Sequence, residues 1–406
     1  MSNSAYEIMI PPPAKKVKLN EIENEDRLSD LPDCIILHIL SFIKTKQAVQ
    51  TCVLSSRWKD LWKLIPVLIF YSSDFGAYKK FTRLVSKVLS LRDSSISLHA
   101  LDFKRSNDRF EPNLKRIVNY AISHNVQRLR LYFNGDIAQI PPTLFSCHTL
   151  TYLKLFIYPD QGHKTPFPKS LDLPALTCLK LGHFEFCVGD DDRAEPFSKF
   201  NRLNSLSISS CTVRGGKTLC ISSATLVNLT MYNYRYNFYK IELCTPNLCT
   251  FVFTGAPYQR LFGSNVSSLK HVVIDAVVIP YDSEPPLFLI SWLQEFANIK
   301  SLTVTATTLQ VLSLFPDLLK IKLPSLNNLK SLKVKMEEIS YGFRLTLRDA
   351  KLRKAKSQKE AAWIRKAFKA GLEPSSLIPD GVVDFLLQNS RSAEVDFVDR
   401  SKKPLE

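Results

Sequence analysis

Few residues in this chain are typed and spaced for bond-making chemistry. The seven histidines (38, 99, 124, 148, 163, 183 and 271) are dispersed, and H-E-x-x-H does not occur. The nine cysteines are an odd number and include no C-x-x-C, which points away from zinc or a disulfide framework. Reduced thiols fit a cytosolic or nuclear setting. G-x-x-x-x-G-K-[ST], G-x-G-x-x-G and G-x-S-x-G are missing, and 12 glycines are few for phosphate-cradling loops. The run from Gly189 to Asp192 could hold a hard cation, but it lacks companion ligands and reads as a solvated loop. No catalytic residue, metal or cofactor is therefore expected.

The pattern that does offer chemistry is one of recognition. Cations and aromatics interleave along Arg128, Arg130 and Tyr132, then Tyr152, Lys154 and Phe156, then Lys180. Protein interfaces favour such side chains as anchors, and Arg with aromatics can also stack on bases. Something must present them together, and the sequence supplies it as a repeat. A pattern φ-x-x-φ-x-φ, with φ apolar, recurs ten times, from "LHALDF" at Leu98 to "LKSLKV" at Leu329, with starts 21 to 30 residues apart. The last two φ of each unit share one face of a strand, and that face needs neighbouring units to cover it. The spacing approximates the leucine-rich-repeat period, the longer units carrying an extra convex-side turn or helix. Cys211 in "LNSLSISSC" stands where that repeat takes Asn or Cys; most units lack it, so the ladder is irregular.

The expected fold is therefore α/β: a curved solenoid over residues 96–336 with a parallel sheet on its concave side. Facing out of that sheet are the strip named above with Cys178 and Gly182, then a milder surface of Ser205, Ser207, Thr230, Val252, Thr254 and Thr303.

Ahead of the repeats, "LPDCIILHILSFIKTKQAVQTCVLSSRWKDLW" (Leu31 to Trp62) is too apolar for its length. Pro32 suits a helix start, and Ile35, Ile36, Ile39, Leu40 and Ile43 follow helical spacing but cover more than one face. Thr45 is a candidate cap for a second helix, and Ser55 or Ser56 for a third carrying Trp58, Leu61 and Trp62. One small core cannot hold all these side chains, so the surplus marks an interface.

These residues, with "DRLSD" before them, resemble the F-box of plant F-box proteins over 26–70, within a domain expected at 26–72. The Leu31-Pro32 opening, the "ILSFI" helix end, the "TCVLSSRW" block and the Leu61-Trp62 close carry the likeness. The resemblance implies a partner, the Skp-type adaptor of a cullin–RING ubiquitin ligase. It also implies a role, substrate recognition, with the repeats taking the target protein. By position in the motif, Leu31, Pro32, Ile35, Ile39, Leu40, Val53, Leu54, Arg57, Trp58 and Leu61 would serve the domain's core and the adaptor groove. Lys44, Lys46, Arg57 and Lys59 would rim an interface with an acidic adaptor. The chain has no HECT-type or RING-type cysteine set, so the role expected is that of a non-catalytic receptor subunit.

The tail, 337–406, opens with a basic run. Ten Lys/Arg between Arg344 and Lys369 face only Asp349 and Glu360, half of the net charge of +16. It reads as one helix with a docking stripe of Ala361, Ile364, Phe368 and Leu372. "VVDFLLQNSRSAEVDFVD" (382–399) resembles a degenerate form of the FBD tail found in plant F-box/leucine-rich-repeat proteins. Near the start, in a segment 1–25 expected to be disordered, Lys15, Lys16 and Lys18 of "PPPAKKVKL" resemble a short nuclear import peptide. Nucleus, cytoplasm or both are the expected locations. No apolar run reaches membrane-spanning length. The alternative reading is a non-ligase nuclear scaffold or nucleic-acid-associated protein using the basic segment, although no helix-turn-helix, RRM or zinc pattern supports it.

Overall fold

A computed structural model describes residues 30–105, 113–159, 164–168, 171–189, 191–233, 240–263, 267–277, 288–296, 298–315, 318–323, 326–337, 341–369 and 378–399. All ten φ-x-x-φ-x-φ units become strands of one twelve-stranded parallel sheet. Its order follows the chain: β1 (Val67–Tyr71), β2 (Ala100–Lys104), β3 (Arg128–Asn134), β4 (Tyr152–Tyr158), β5 (Cys178–Gly182), β6 (Ser205–Ser209), β7 (Asn228–Asn233), β8 (Thr250–Gly255), β9 (His271–Ala276), β10 (Ser301–Thr305), β11 (Ser331–Met336) and β12 (Glu394–Asp399). The apolar positions stay in register from strand to strand: Leu101 pairs with Leu129, Leu129 with Leu153, and Leu153 with Leu179. The ladder ends with Leu302 against Leu332 and Leu332 against Val395. Every φ position of the ten units is at most 4% exposed. Register is fixed because a slip by one residue would turn this whole row to solvent.

The return segments follow from the repeat length. The units starting at Leu98, Leu269 and Ile299 are the long ones, and their returns hold helices: α4 (Leu114–Ser123), α5 (Leu289–Glu295) and α6 (Ala306–Leu312), while α3 (Tyr78–Leu91) fills the return after β1. In α4 the apolar side chains of Leu114, Ile117, Val118 and Ala121 make one stripe, and it is buried. The central units hold no α-helix among their described residues. The Val126 unit returns through 3-10 turns, Ile137–Gln139 and Pro142–Ser146. The returns of the units from Leu150 to Leu248 are extended and pair into two further parallel sheets, one of Arg193–Ala194, Thr218–Ser222, Lys240–Cys244 and Arg260–Gly263, the other of Thr165–Pro166, Phe184–Cys187 and Thr212–Arg214. Cys211 is buried, and its thiol donates to the Ser209 carbonyl at 3.5 Å, while burial pushes its pKa up to about 11. All nine cysteines are free thiols.

The sheet reaches further at both ends than the ten units. "VLIFY" adds β1 before residue 96, and "EVDFVD" adds β12 after 336. The second extension follows α9 (Val382–Leu386), and polar side chains of "LLQNS" fasten it to the return segment that precedes β11. Gln388 donates to the Ile321 carbonyl at 3.2 Å, Asn389 to that of Leu323 at 2.8 Å, and the Ser390 hydroxyl to that of Leu326.

The basic run is two helices, α7 (Tyr341–Lys354) and α8 (Gln358–Lys369), not one. The chain breaks at 355–357, where the Ser357 hydroxyl accepts from the Glu360 amide at 3.1 Å and Glu360 accepts from the Lys356 amide at 2.8 Å, a local cap that restarts the helix. Of the expected stripe, Ile364 is buried, Ala361 and Phe368 are partly buried, and Leu372 lies outside the described residues. Among the described residues no helix is long and apolar enough to cross a membrane.

Candidate functional site

The N-terminal helices α1 (Asp33–Leu40) and α2 (Thr45–Gln50) are followed by three single 3-10 turns, Thr51–Val53, Arg57–Lys59 and Leu61–Leu64. The third expected helix is thus a pair of tight turns, and neither Ser55 nor Ser56 caps it. Thr45 does not cap α2 either, because Lys44 holds that position. Instead the Thr45 hydroxyl is buried and accepts the Ile69 amide at 2.7 Å, tying α2 to β1.

Because 3-10 geometry has three residues per turn, it redistributes the apolar side chains. Ile36, Leu40, Ala48, Trp58, Leu61 and Trp62 turn inward and join the core that runs on into Leu68 and Phe70 of β1. Of the residues expected to serve the domain's core and the adaptor groove, Leu40, Trp58 and Leu61 are core residues. Outside stand Ile35 (43% exposed), Ile39 (40%), Val53 (83%) and Leu54 (62%), with Pro32 exposed and Leu31 half-buried beside them. Phe42, 72% exposed, completes this ridge. It escapes a reading by helical period because it lies just past the end of α1, yet its place three residues after Ile39 was a usable signal.

The cations of this region have different tasks. Arg57 donates to Asp33 at 2.6 Å and to the Leu31 carbonyl, clamping the start of α1 against the second turn. Lys44 and Lys46 are half-buried and have partners within the chain. Lys44 pairs with Asp74 at 2.7 Å and lies over the Tyr71 ring, and Lys46 donates to the Asp74 carbonyl at 2.6 Å and covers Phe75. Both bind the helices to the turn after β1. Lys59 remains exposed. Beneath the junction Arg92 is buried and gives hydrogen bonds to the carbonyls of Ile65 (3.1 Å), Ile96 (2.9 Å) and Ser97 (3.1 Å) and to the Tyr120 hydroxyl (3.2 Å).

Residues 28–70 match the F-box domain. The N-terminal helices are an F-box. The F-box and the repeats together are similar to a group of proteins from Arabidopsis thaliana. One is an FBD-associated F-box protein, 27% identical over 324 residues, or 73% of this chain and 69% of that one. A second FBD-associated F-box protein is 25% identical over 334 residues, 79% of this chain and 80% of its own length. An F-box/FBD/LRR-repeat protein is 32% identical over 215 residues, 52% of this chain and 48% of that protein. The chain thus has the makeup of a plant F-box/leucine-rich-repeat protein with an FBD-like end.

A second surface lies on the open face of the sheet, close to the F-box. The strip residues of β3, β4 and β5 come together in rows: Arg128 beside Tyr152, Arg130 beside Lys154 beside Lys180, and Tyr132 beside Phe156 beside Gly182. Tyr132 and Phe156 stack with centroids 5.2 Å apart. Lys154 lies over both, at 4.8 and 5.1 Å. Tyr152 receives Arg128 at 5.3 Å, Arg130 at 5.6 Å and Lys180 at 5.8 Å. The third row needs glycine at 182, since a Cβ there would sit 2.4 Å from the Phe156 ring.

Asp102 and Tyr71, which the repeat reading left out, extend the middle row toward the F-box. Asp102 pairs with Arg130 at 3.2 Å and accepts the Tyr71 hydroxyl at 3.0 Å. Burial first, then the Asp102 carboxylate, pushes the Tyr71 pKa up to about 12. On β6 to β8 the same face shows Ser205, Ser207, Thr230, Val252 and Thr254, of which Ser207 is buried. In the 189–192 loop, Asp191 accepts the Arg193 amide at 3.2 Å; Asp190 lies outside the described residues, as do Lys15, Lys16 and Lys18.

Proposed function

We propose that this chain is the non-catalytic substrate receptor of a Skp–cullin–F-box ubiquitin ligase. The ridge of Ile35, Ile39, Phe42, Val53 and Leu54 docks the Skp-type adaptor, and the strip on β3 to β5 receives the target protein. The observation that carries the reading is that the F-box core is already filled by Trp58, Leu61 and Trp62 while five large apolar side chains remain outside. Such a patch on a domain of this kind is sheltered by a second chain. The receptor then works by tethering, which turns a bimolecular encounter between ligase and target into a local one.

Changing Ile39→Asp together with Val53→Asp tests this, because both sites are exposed and neither fills the core. Burying a side chain of this size contributes about 1.5–3 kcal/mol, so the double variant should lose adaptor co-purification while the sheet keeps its circular-dichroism spectrum. Adaptor capture at the parental level would overturn the proposal.

The competing scaffold reading has one structural feature in its favour. Trp363 on α8 is 68% exposed among Lys359, Arg365 and Lys366. It requires tight, steeply salt-dependent nucleic-acid binding that disappears when 344–369 are neutralised.

A further inference from the structure

From the chemistry of the open face we infer that the strip on β3 to β5 recognises an acidic, extended segment of the target, rich in Asp and Glu. The inference rests on the receptor reading above and gives that receptor's substrate a chemical class.

Three cations, Arg130, Lys154 and Lys180, stand side by side on adjacent strands. Like charges placed directly opposite one another in a sheet repel. Arg130 is neutralised by Asp102. Among the described residues no carboxylate lies within ion-pair distance of Arg128, Lys154 or Lys180. The free face therefore carries an uncompensated positive row that an incoming anion relieves.

The rings decide which anion. Tyr152 is covered by cations, and Tyr132 and Phe156 are engaged with each other and with Lys154. These rings hold the ammonium groups in place but are not free to stack on bases, which nucleic-acid binding on such a surface needs. The Arg130 fork, the geometry that suits a phosphate, faces Asp102. The other guanidinium, Arg128, lies over the Tyr152 ring at 5.3 Å, so the middle row offers chiefly the lysine point charges of Lys154 and Lys180, and these fit a run of carboxylates. The hydroxyls of Ser205, Ser209 and Thr230 on the next strands can receive the segment's backbone.

The test uses the full-length chain bound to its adaptor and a fluorescent decaglutamate peptide, read by anisotropy. A phosphoserine peptide of equal charge and a single-stranded oligonucleotide serve as competitors. Lys154→Glu with Lys180→Glu should weaken peptide binding on the order of tenfold, and neutralising 344–369 should leave it unchanged. Lys154→Gln with Lys180→Gln gives a smaller loss and covers the case in which charge reversal unfolds the chain. Undiminished peptide binding by both pairs overturns the inference, as does preferential displacement by the oligonucleotide or the phosphopeptide. In either case adaptor capture stands unaffected, so the receptor reading would survive. Loss of adaptor capture by the parental chain sinks that reading instead.

Discussion

Arg92 is only 4% exposed and its hydrogen bonds go to main-chain oxygens and the Tyr120 hydroxyl rather than to a carboxylate, although the charge of neighbouring Asp93 acts on it. It connects three parts of the chain: Ile65 at the exit of the F-box, the 93–97 loop that leads into β2, and Tyr120 on α4. Replacing it by methionine keeps much of the volume and removes every bond. A hydrogen bond to a charged donor is worth about 1.5–3 kcal/mol, and an orphaned buried carbonyl costs about 1–3 kcal/mol. The Ile65 carbonyl lies in a fully buried residue, while those of Ile96 and Ser97 can turn to water. Relief from burying a guanidinium offsets part of the loss. The net expectation for Arg92→Met is about 3 kcal/mol, against the roughly 5–15 kcal/mol that holds a domain together. In a repeat array, where each unit leans on its neighbours, the damage should stay local. Hydrogen exchange read by mass spectrometry should show amides of 65–71 and 98–104 exchanging about 100-fold faster, since each 1.4 kcal/mol is tenfold. Amides of 301–336 should not change. Acceleration below about threefold at the junction, or equal acceleration along the whole sheet, would refute the view that Arg92 fixes the F-box to the first repeats.

Two further outcomes follow from single residues. Tyr71→Phe should flatten the alkaline limb of the stability profile. With the folded pKa raised to about 12 from an unfolded value of 10.0, the parental chain has this group's full contribution below pH 10 and loses it as pH climbs toward 12. Denaturant midpoints measured across that window should fall more steeply for the parent than for the variant. Gly255→Ala should prevent accumulation of soluble protein or lower its melting temperature sharply. Gly255 has φ +123°, and a Cβ would lie 1.8 Å from the Asn233 carbonyl, a backbone atom that also accepts the Ala256 amide; thermal denaturation of the purified variant checks it.

The fold was legible where the physics is periodic. A row of apolar residues that must stay in register across neighbouring strands leaves its mark on the sequence, and every unit from Leu98 to Leu329 landed in the sheet. The two added strands were harder to see for opposite reasons. "VLIFY" follows Ile65 at the φ-x-x spacing, so "IPVLIF" is a further unit, but it starts 33 residues before Leu98 and directly ends the apolar F-box stretch, which masks it. "EVDFVD" carries acidic residues on its outward face because Asp396 pairs with Lys333 on β11 at 3.4 Å. At the F-box, the set of surface residues was readable and its division was not. Helical spacing says nothing about a chain that turns by 3-10 steps, so Trp58 and Leu61 could not be told from Val53 and Leu54. Lys44 and Lys46 found their partner, Asp74, about thirty residues on, beyond the reach of any local pattern.

These placements have a consequence for how the two surfaces cooperate. The strip begins on β3, two strands from β1, to which the F-box is tied through Thr45, Asp74 and Arg92. At about 4.8 Å per strand, β4 lies roughly 15 Å across the sheet from β1. The surface richest in charge and aromatic rings is thus the part of the sheet nearest the F-box, while the milder hydroxyl face of β6 to β8 lies further away. Ring stacking and paired charges resist deformation, and the parallel ladder from β1 to β4 is continuous. A target seated on this strip would be held at a fixed short distance from whatever the F-box docks, rather than swung on a linker. Proximity of that kind raises the local concentration of target lysines most when the connection is stiff and its length suits the span. On the receptor reading proposed above, the junction residues bear on function without touching either partner: loosening them should leave both surfaces intact yet blur the geometry that joins them.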